Sequence, residues 1–324
     1  MLEHLSLPEK KSVVERYARL LALVGGELGE RHLVLPNGES FPDRFTPDAS
    51  GLRTLTACML RHAGLSDVPV AARVVEEPSD AGGGGCGSGC GVTAGSCGTS
   101  PGAGASESGA VPRLVDTGTS FTLNVPAAEL RHPVVLTTMV ARALGHVFLV
   151  EALPAGARIE HPPDLTADHA AVALGFGPLL LEGSYVYSKS CGGPQVASVT
   201  HASIAELAFS TALFIEMRGQ SGRRALAELG ATQQAALGEA LEWARSNDVL
   251  IQRLRREPER VAGGDYELRE PRPWLLRLFG GKSKDAPMAA PVSPPRAPRA
   301  VDPAHAELRA LVDEALEASP VDAE

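Results

Sequence analysis

The chain is short of positive charge. Its 30 Lys and Arg stand against 39 Asp and Glu, for a net charge of -9 and a sequence pI near 5.5. Nucleic-acid binders neutralise phosphates with clustered Lys and Arg, so that class is set aside. The opening residues, Met1-Leu2-Glu3-His4-Leu5-Ser6, also lack a basic stretch followed by a long apolar run, and the expected compartment is the cytoplasm. The five cysteines, at 58, 86, 90, 97 and 191, are odd in number and contain no C-x-x-C pair. Reduced thiols are expected rather than a disulfide framework. Two segments, 133–153 and 165–181, approach membrane-span length, but Arg142 and His146 interrupt the first and Asp168 and His169 the second. Charges are costly in hydrocarbon, so both read as buried core helices.

What is present is ample apolar material for a core, 44% of 324 residues. Ser6-Leu7-Pro8-Glu9 is a capping box with proline in the first turn, and Val13, Val14, Tyr17, Leu20, Leu21 and Val24 follow at helical spacing. His32 to Pro36 reads as a short strand, Thr46-Pro47-Asp48 as the start of a second helix, and Val68 to Val75 as a β-branched strand. Leu114-Val115 and Phe121 to Val125 read as the arms of a hairpin across Thr117-Gly118. Two apolar helices follow, at 133–151 and 165–182. The segment from Ser203 to Met217 and one or two amphipathic helices between Ala225 and Leu254 make the second half mostly helical. The predicted organisation is a globular domain over 1–264, interrupted at 76–110 by a Gly/Cys-rich mobile insertion. A Pro-rich linker over 265–302 and a short amphipathic helix over 303–319 come after it.

The residues Arg142-Ala143-Leu144-Gly145-His146 are the most informative. A zinc-binding H-E-x-x-H helix sets two imidazoles at i and i+4 on one face, with a glutamate beside them as general base. Here those places hold Arg142, Ala143 and His146, and only the last can ligate a metal. Downstream, Asp164-Leu165-Thr166-Ala167-Asp168-His169 and Val172 to Gly177 resemble the segment that carries the third ligand in an uncharacterised family of bacterial zincin-like proteins. Leu33 to Pro36 with Phe41-Pro42, the Cys-Gly-Ser-Gly at 86–89 and Ser190-Cys191-Gly192-Gly193-Pro194 extend this resemblance over roughly residues 10 to 220.

The resemblance implies a first ligand at 142, a general base at 143, a second ligand at 146 and an acidic third ligand at 168. Arg142 offers no lone pair and Ala143 cannot activate a water. The expectation is therefore that Arg142 stands in the vacated metal position and pairs with Asp168. A plainer reading has Arg142 reaching the surface and Asp168 solvated. A third arrangement, with His146, Asp168 and His169 as rearranged zinc ligands, strains against Asp168 and His169 being adjacent on one helix.

Other features carry less. Cys86, Cys90 and Cys97 form at most a thiol clip for a metal or redox role, and Cys191 reads as a turn residue after a helix. Gly280-Gly281-Lys282-Ser283 lacks the first P-loop glycine, since Leu276 stands there. The segment Trp274 to Lys284 is basic and aromatic and could touch a membrane or a partner's groove. The fold class expected is α+β, with a small sheet in the N-terminal half on a mostly helical, zincin-like core. The function expected is a catalytically inactive relative of a zinc metallopeptidase, without cofactor, that binds a protein or peptide. The alternative is a metal-dependent, peptidase-like hydrolase with zinc.

Overall fold

The fold was read from a computed structural model, which describes residues 5–28, 30–41, 43–76, 113–153, 163–190 and 193–270. It is α+β, with a small sheet in the N-terminal half and helices elsewhere. Helix α1 (Leu7–Leu28) begins where the Glu9 carboxylate accepts from the Ser6 backbone N–H at 2.7 Å and from its hydroxyl at 2.6 Å. These bonds satisfy the Ser6 amide and anchor the start of the helix, and the apolar stripe from Val13 to Val24 is buried. Helix α2 (Ala49–Ala63) is capped by Asp48, which accepts from Gly51 N, and ends at Gly64 with φ 62°.

Strands β1 (Val70–Val75), β2 (Leu114–Asp116) and β3 (Phe121–Pro126) form a sheet in the order β1-β3-β2. β3 is central, parallel to β1 with Val70 opposite Phe121, and antiparallel to β2 with Asp116 opposite Phe121. A 3-10 turn, Ala127–Arg131, leads into α3 (Pro133–Ala152), which proline opens. Among the described residues α3 is the one helix long and apolar enough to cross a membrane, and most of it is buried within this unit.

The helix expected over 165–182 is broken. Helix α4 (Pro163–Ala171) runs into a π turn, Val172–Phe176, and then α5 (Gly177–Gly183). The break sits at Gly175, whose φ of 99° suits glycine, and an added Cβ there would lie 2.1 Å from the His32 carbonyl oxygen. The strand expected at 32–36 is not one either. Its amides are taken singly: Leu33 N donates to Gln220 Oε1, Val34 N to the freed carbonyl of Gly175, and Leu35 N to Ser40 Oγ. With its donors spent on a side chain, a helix break and a turn, no ladder forms.

A hairpin that periodicity did not announce, β4 (Val186–Ser190) with β5 (Gly193–Ala197), follows α5. Next comes α6 (Ile204–Arg218), held by a Ser203/Glu206 capping box and buried over most of its length. The one or two helices expected from 225 to 254 are three: α7 (Gly222–Glu228), α8 (Ala231–Ser246) and α9 (Asp248–Arg256). Gly230 and Asn247 mark the breaks between them. After α10 (Pro258–Ala262), residues 265–270, assigned by composition to the linker, return across the helices. Asn247 bonds both the N–H and the C=O of Arg269, and Lys10 pairs with Glu270 at 3.0 Å. The rest of that linker, the 303–319 helix, the Trp274–Lys284 patch, the insertion and Cys191 lie outside the described residues.

Candidate functional site

Small residues let α3 and α4 approach closely. A Cβ on Gly145 would sit 2.3 Å from the Ala167 carbonyl oxygen and 2.8 Å from Ala171 N, so the two backbones touch where any larger residue would part them. Across this seam the structure brings Arg142 and Asp168 together. Arg142 Nε donates to Asp168 Oδ1 at 2.5 Å, and Nη1 donates to the Val199 carbonyl at 2.8 Å. The guanidinium does not reach solvent: the side chains are 3% and 0% exposed. Asp168 Oδ2 accepts from the backbone N–H groups of His201 and Ala202 at 2.7 and 2.9 Å. The pair thus ties α3, α4 and the segment entering α6 into one polar knot. Only Arg142 Nη2 is buried there without a hydrogen-bond partner among the described residues.

Ala143 is buried in the core and supplies no polar atom. One turn on, His146 is half-buried. Removal from water holds its imidazole below the ordinary value of 6.5, and the carboxylates of Asp164 and Asp116 oppose that shift. His201 Nε2 lies 3.7 Å from Asp164 Oδ2. His169, next to Asp168, turns away to α6, its Nδ1 3.0 Å from Ser210 Oγ. Ser210 donates onward to the Glu206 carbonyl at 2.9 Å, which assigns the Nδ1 proton to His169.

His146, Asp168 and His169 therefore do not converge. Among the described residues no three His, Cys, Asp or Glu side chains gather as a metal would need. Both oxygens of Asp168 are already spent on a cation and two amides, so the arrangement does not fit a zinc ion at this seam. Cys86, Cys90 and Cys97 lie outside the described residues.

A second feature is open to solvent. A cleft of about 600 Å³ lies between α2, the first turns of α3, the 36–46 segment and α5. Phe41, Phe45, Leu55, Cys58, Val134 and Leu179 line it, with Asp43, Arg44, Glu182 and Glu228 among its charged groups. Its size and apolar walls are those of ligand sites in general. Cys58 Sγ donates to the Ser40 carbonyl at 3.5 Å, and His62 Nε2 lies 2.8 Å from the same oxygen, which fixes the loop that forms one wall. Sequence reasoning missed this cleft because five separated segments build it and none carries a motif. The partners that 199–202 offers the pair, the Val199 carbonyl for Arg142 and the His201 and Ala202 amides for Asp168, were equally silent, being backbone groups.

Comparison with family models, with curated proteins and with solved structures found no match. The likeness to zincins therefore rests on this chain's own residues.

Proposed function

We propose that the chain is a catalytically inactive relative of the zinc metallopeptidases that works as a protein- or peptide-binding module. The observation that carries this reading is the buried Arg142–Asp168 pair. A permanent cation fills the place that the resemblance gives to a metal ligand, and the acidic partner has no free oxygen. Ala143 offers no base to activate water. Support for binding comes from the apolar cleft beside the first turns of α3, whose walls are rich in carbon.

Elemental analysis of protein purified without chelators tests the first half. Wild-type protein is expected to carry well under one first-row metal per chain, and zinc at one per chain, lost in both His146→Ala and Asp168→Ala, would overturn the reading. Arg142→His would present an imidazole to the His146 and Asp168 side of the helix. Uptake of zinc by that variant alone would support a metal scaffold closed by one substitution.

A further inference from the structure

We propose that the cleft selects a peptide segment in which a bulky apolar side chain sits beside Lys or Arg. This deepens the binding-module reading and rests on it. The cleft floor is hydrocarbon: Leu179 and Leu136 are buried at its base, and Phe41, Phe45, Leu55 and Val134 present partly open faces around it. An apolar side chain seated there leaves water at little polar cost.

The lining also carries a charge imbalance. It contains three carboxylates, Asp43, Glu182 and Glu228, and one guanidinium, Arg44. Glu228 and Glu182 are held in place rather than neutralised, since Glu228 Oε1 accepts from Asn37 Nδ2 at 2.8 Å and Glu182 Oε1 from Gly230 N at 2.9 Å. Neutral donors leave the full negative charge. A concave apolar wall focuses such a field toward the opening, and the chain's overall charge of -9 adds to it. A cation beside the apolar anchor is thus attracted, and a carboxylate in the same place is repelled.

The test uses the full chain and two fluorescein-labelled octapeptides, one alternating Leu with Lys and one alternating Leu with Glu, read by fluorescence anisotropy. The Leu/Lys peptide is expected to bind at least about tenfold more tightly, with a preference that shrinks as salt rises. Glu182→Gln with Glu228→Gln, which keeps both accepting oxygens, should reduce that preference to about threefold or less. Leu55→Asp should abolish binding, as should Val134→Asp, whose side chain is already 36% exposed and so spares the core. Saturating peptide should also slow alkylation of Cys58 in the cleft wall, read by peptide mass mapping.

Equal affinity for both peptides, lost in Val134→Asp, would overturn the charge selection and leave the binding module intact. Leu/Lys binding undiminished in both cleft variants, with Cys58 alkylated at an unchanged rate, would overturn the cleft as the site. Cleavage of either peptide with stoichiometric zinc present would instead overturn the inactive-module reading itself.

Discussion

Replacing Arg142 by Met keeps an unbranched stem out to about the position of Nε and removes the guanidinium, with the charge that pairs with Asp168. The Asp168 carboxylate, 0% exposed, would be left with two backbone donors and no cation. Breaking a buried pair from one side costs about 3–5 kcal/mol. The Val199 carbonyl would lose its donor as well, adding about 1 kcal/mol. A loss of about 4–6 kcal/mol is a large part of the roughly 5–15 kcal/mol that holds a domain folded. At about 2–4 °C per kcal/mol for a domain of this size, Tm should fall by roughly 8–24 °C.

The informative comparison is the double variant Arg142→Met with Asp168→Asn. The amide oxygen can still accept from His201 and Ala202, while the uncompensated charge is gone, so about half of the lost stability should return. Urea unfolding followed by circular dichroism reads both. A cost below about 1 kcal/mol for the single variant, or a double variant no more stable than it, would mean that water reaches the carboxylate and that the buried-pair reasoning fails.

Gly145→Ala should push α3 and α4 apart, because its methyl would meet the Ala167 carbonyl oxygen at 2.3 Å. A loss of about 1–3 kcal/mol is expected from chemical denaturation, and an unchanged midpoint would contradict the close helix contact. His146 sets a pH dependence with a definite sign. Its imidazole is held below 6.5 when folded, so both states are neutral above that pH. As pH falls below 6.5 the unfolded chain takes up the proton first, and stability is lost until the folded pKa is passed. His146→Gln should flatten this decline; thermal melts at pH 7.5 and 5.5 with the same drop in both proteins would refute it.

Where the sequence was informative, the reason was local. The Ser6/Glu9 and Asp48 signals and the apolar spacing behind them announce α1 and α2, because the residues that anchor each helix start stand directly before its buried stripe. The β2–β3 hairpin is legible from its two apolar runs and Gly118. At the seam, the match of Arg142 with Asp168 comes from the ligand positions that the zincin-like resemblance implies, supported by their opposite charge and by a buried carboxylate's need for a partner.

What was illegible depends on groups that no residue type reveals. Leu33 and Val34 look like a strand, yet their amides are claimed by Gln220 and the Gly175 carbonyl, and only the fold brings those near. The break at Gly175 hides in a continuous apolar run, since φ of 99° is a property of the glycine's surroundings. The β4–β5 hairpin falls where the sequence reads Ser190-Cys191-Gly192-Gly193-Pro194, a cue that was present but read as a turn after a helix.

The bond between Lys10 and Glu270, with the Tyr266 hydroxyl on the Lys11 carbonyl, places the two ends of the described globular unit side by side. Proximity of this kind suits circular permutation. The order of the chain could be recut, with residue 270 joined through a short flexible bridge to the start of α1 and new ends opened at the exposed Gly118 turn. Such a rewired protein would keep the seam and the cleft each on uninterrupted helices, and would carry fused cargo beside β2.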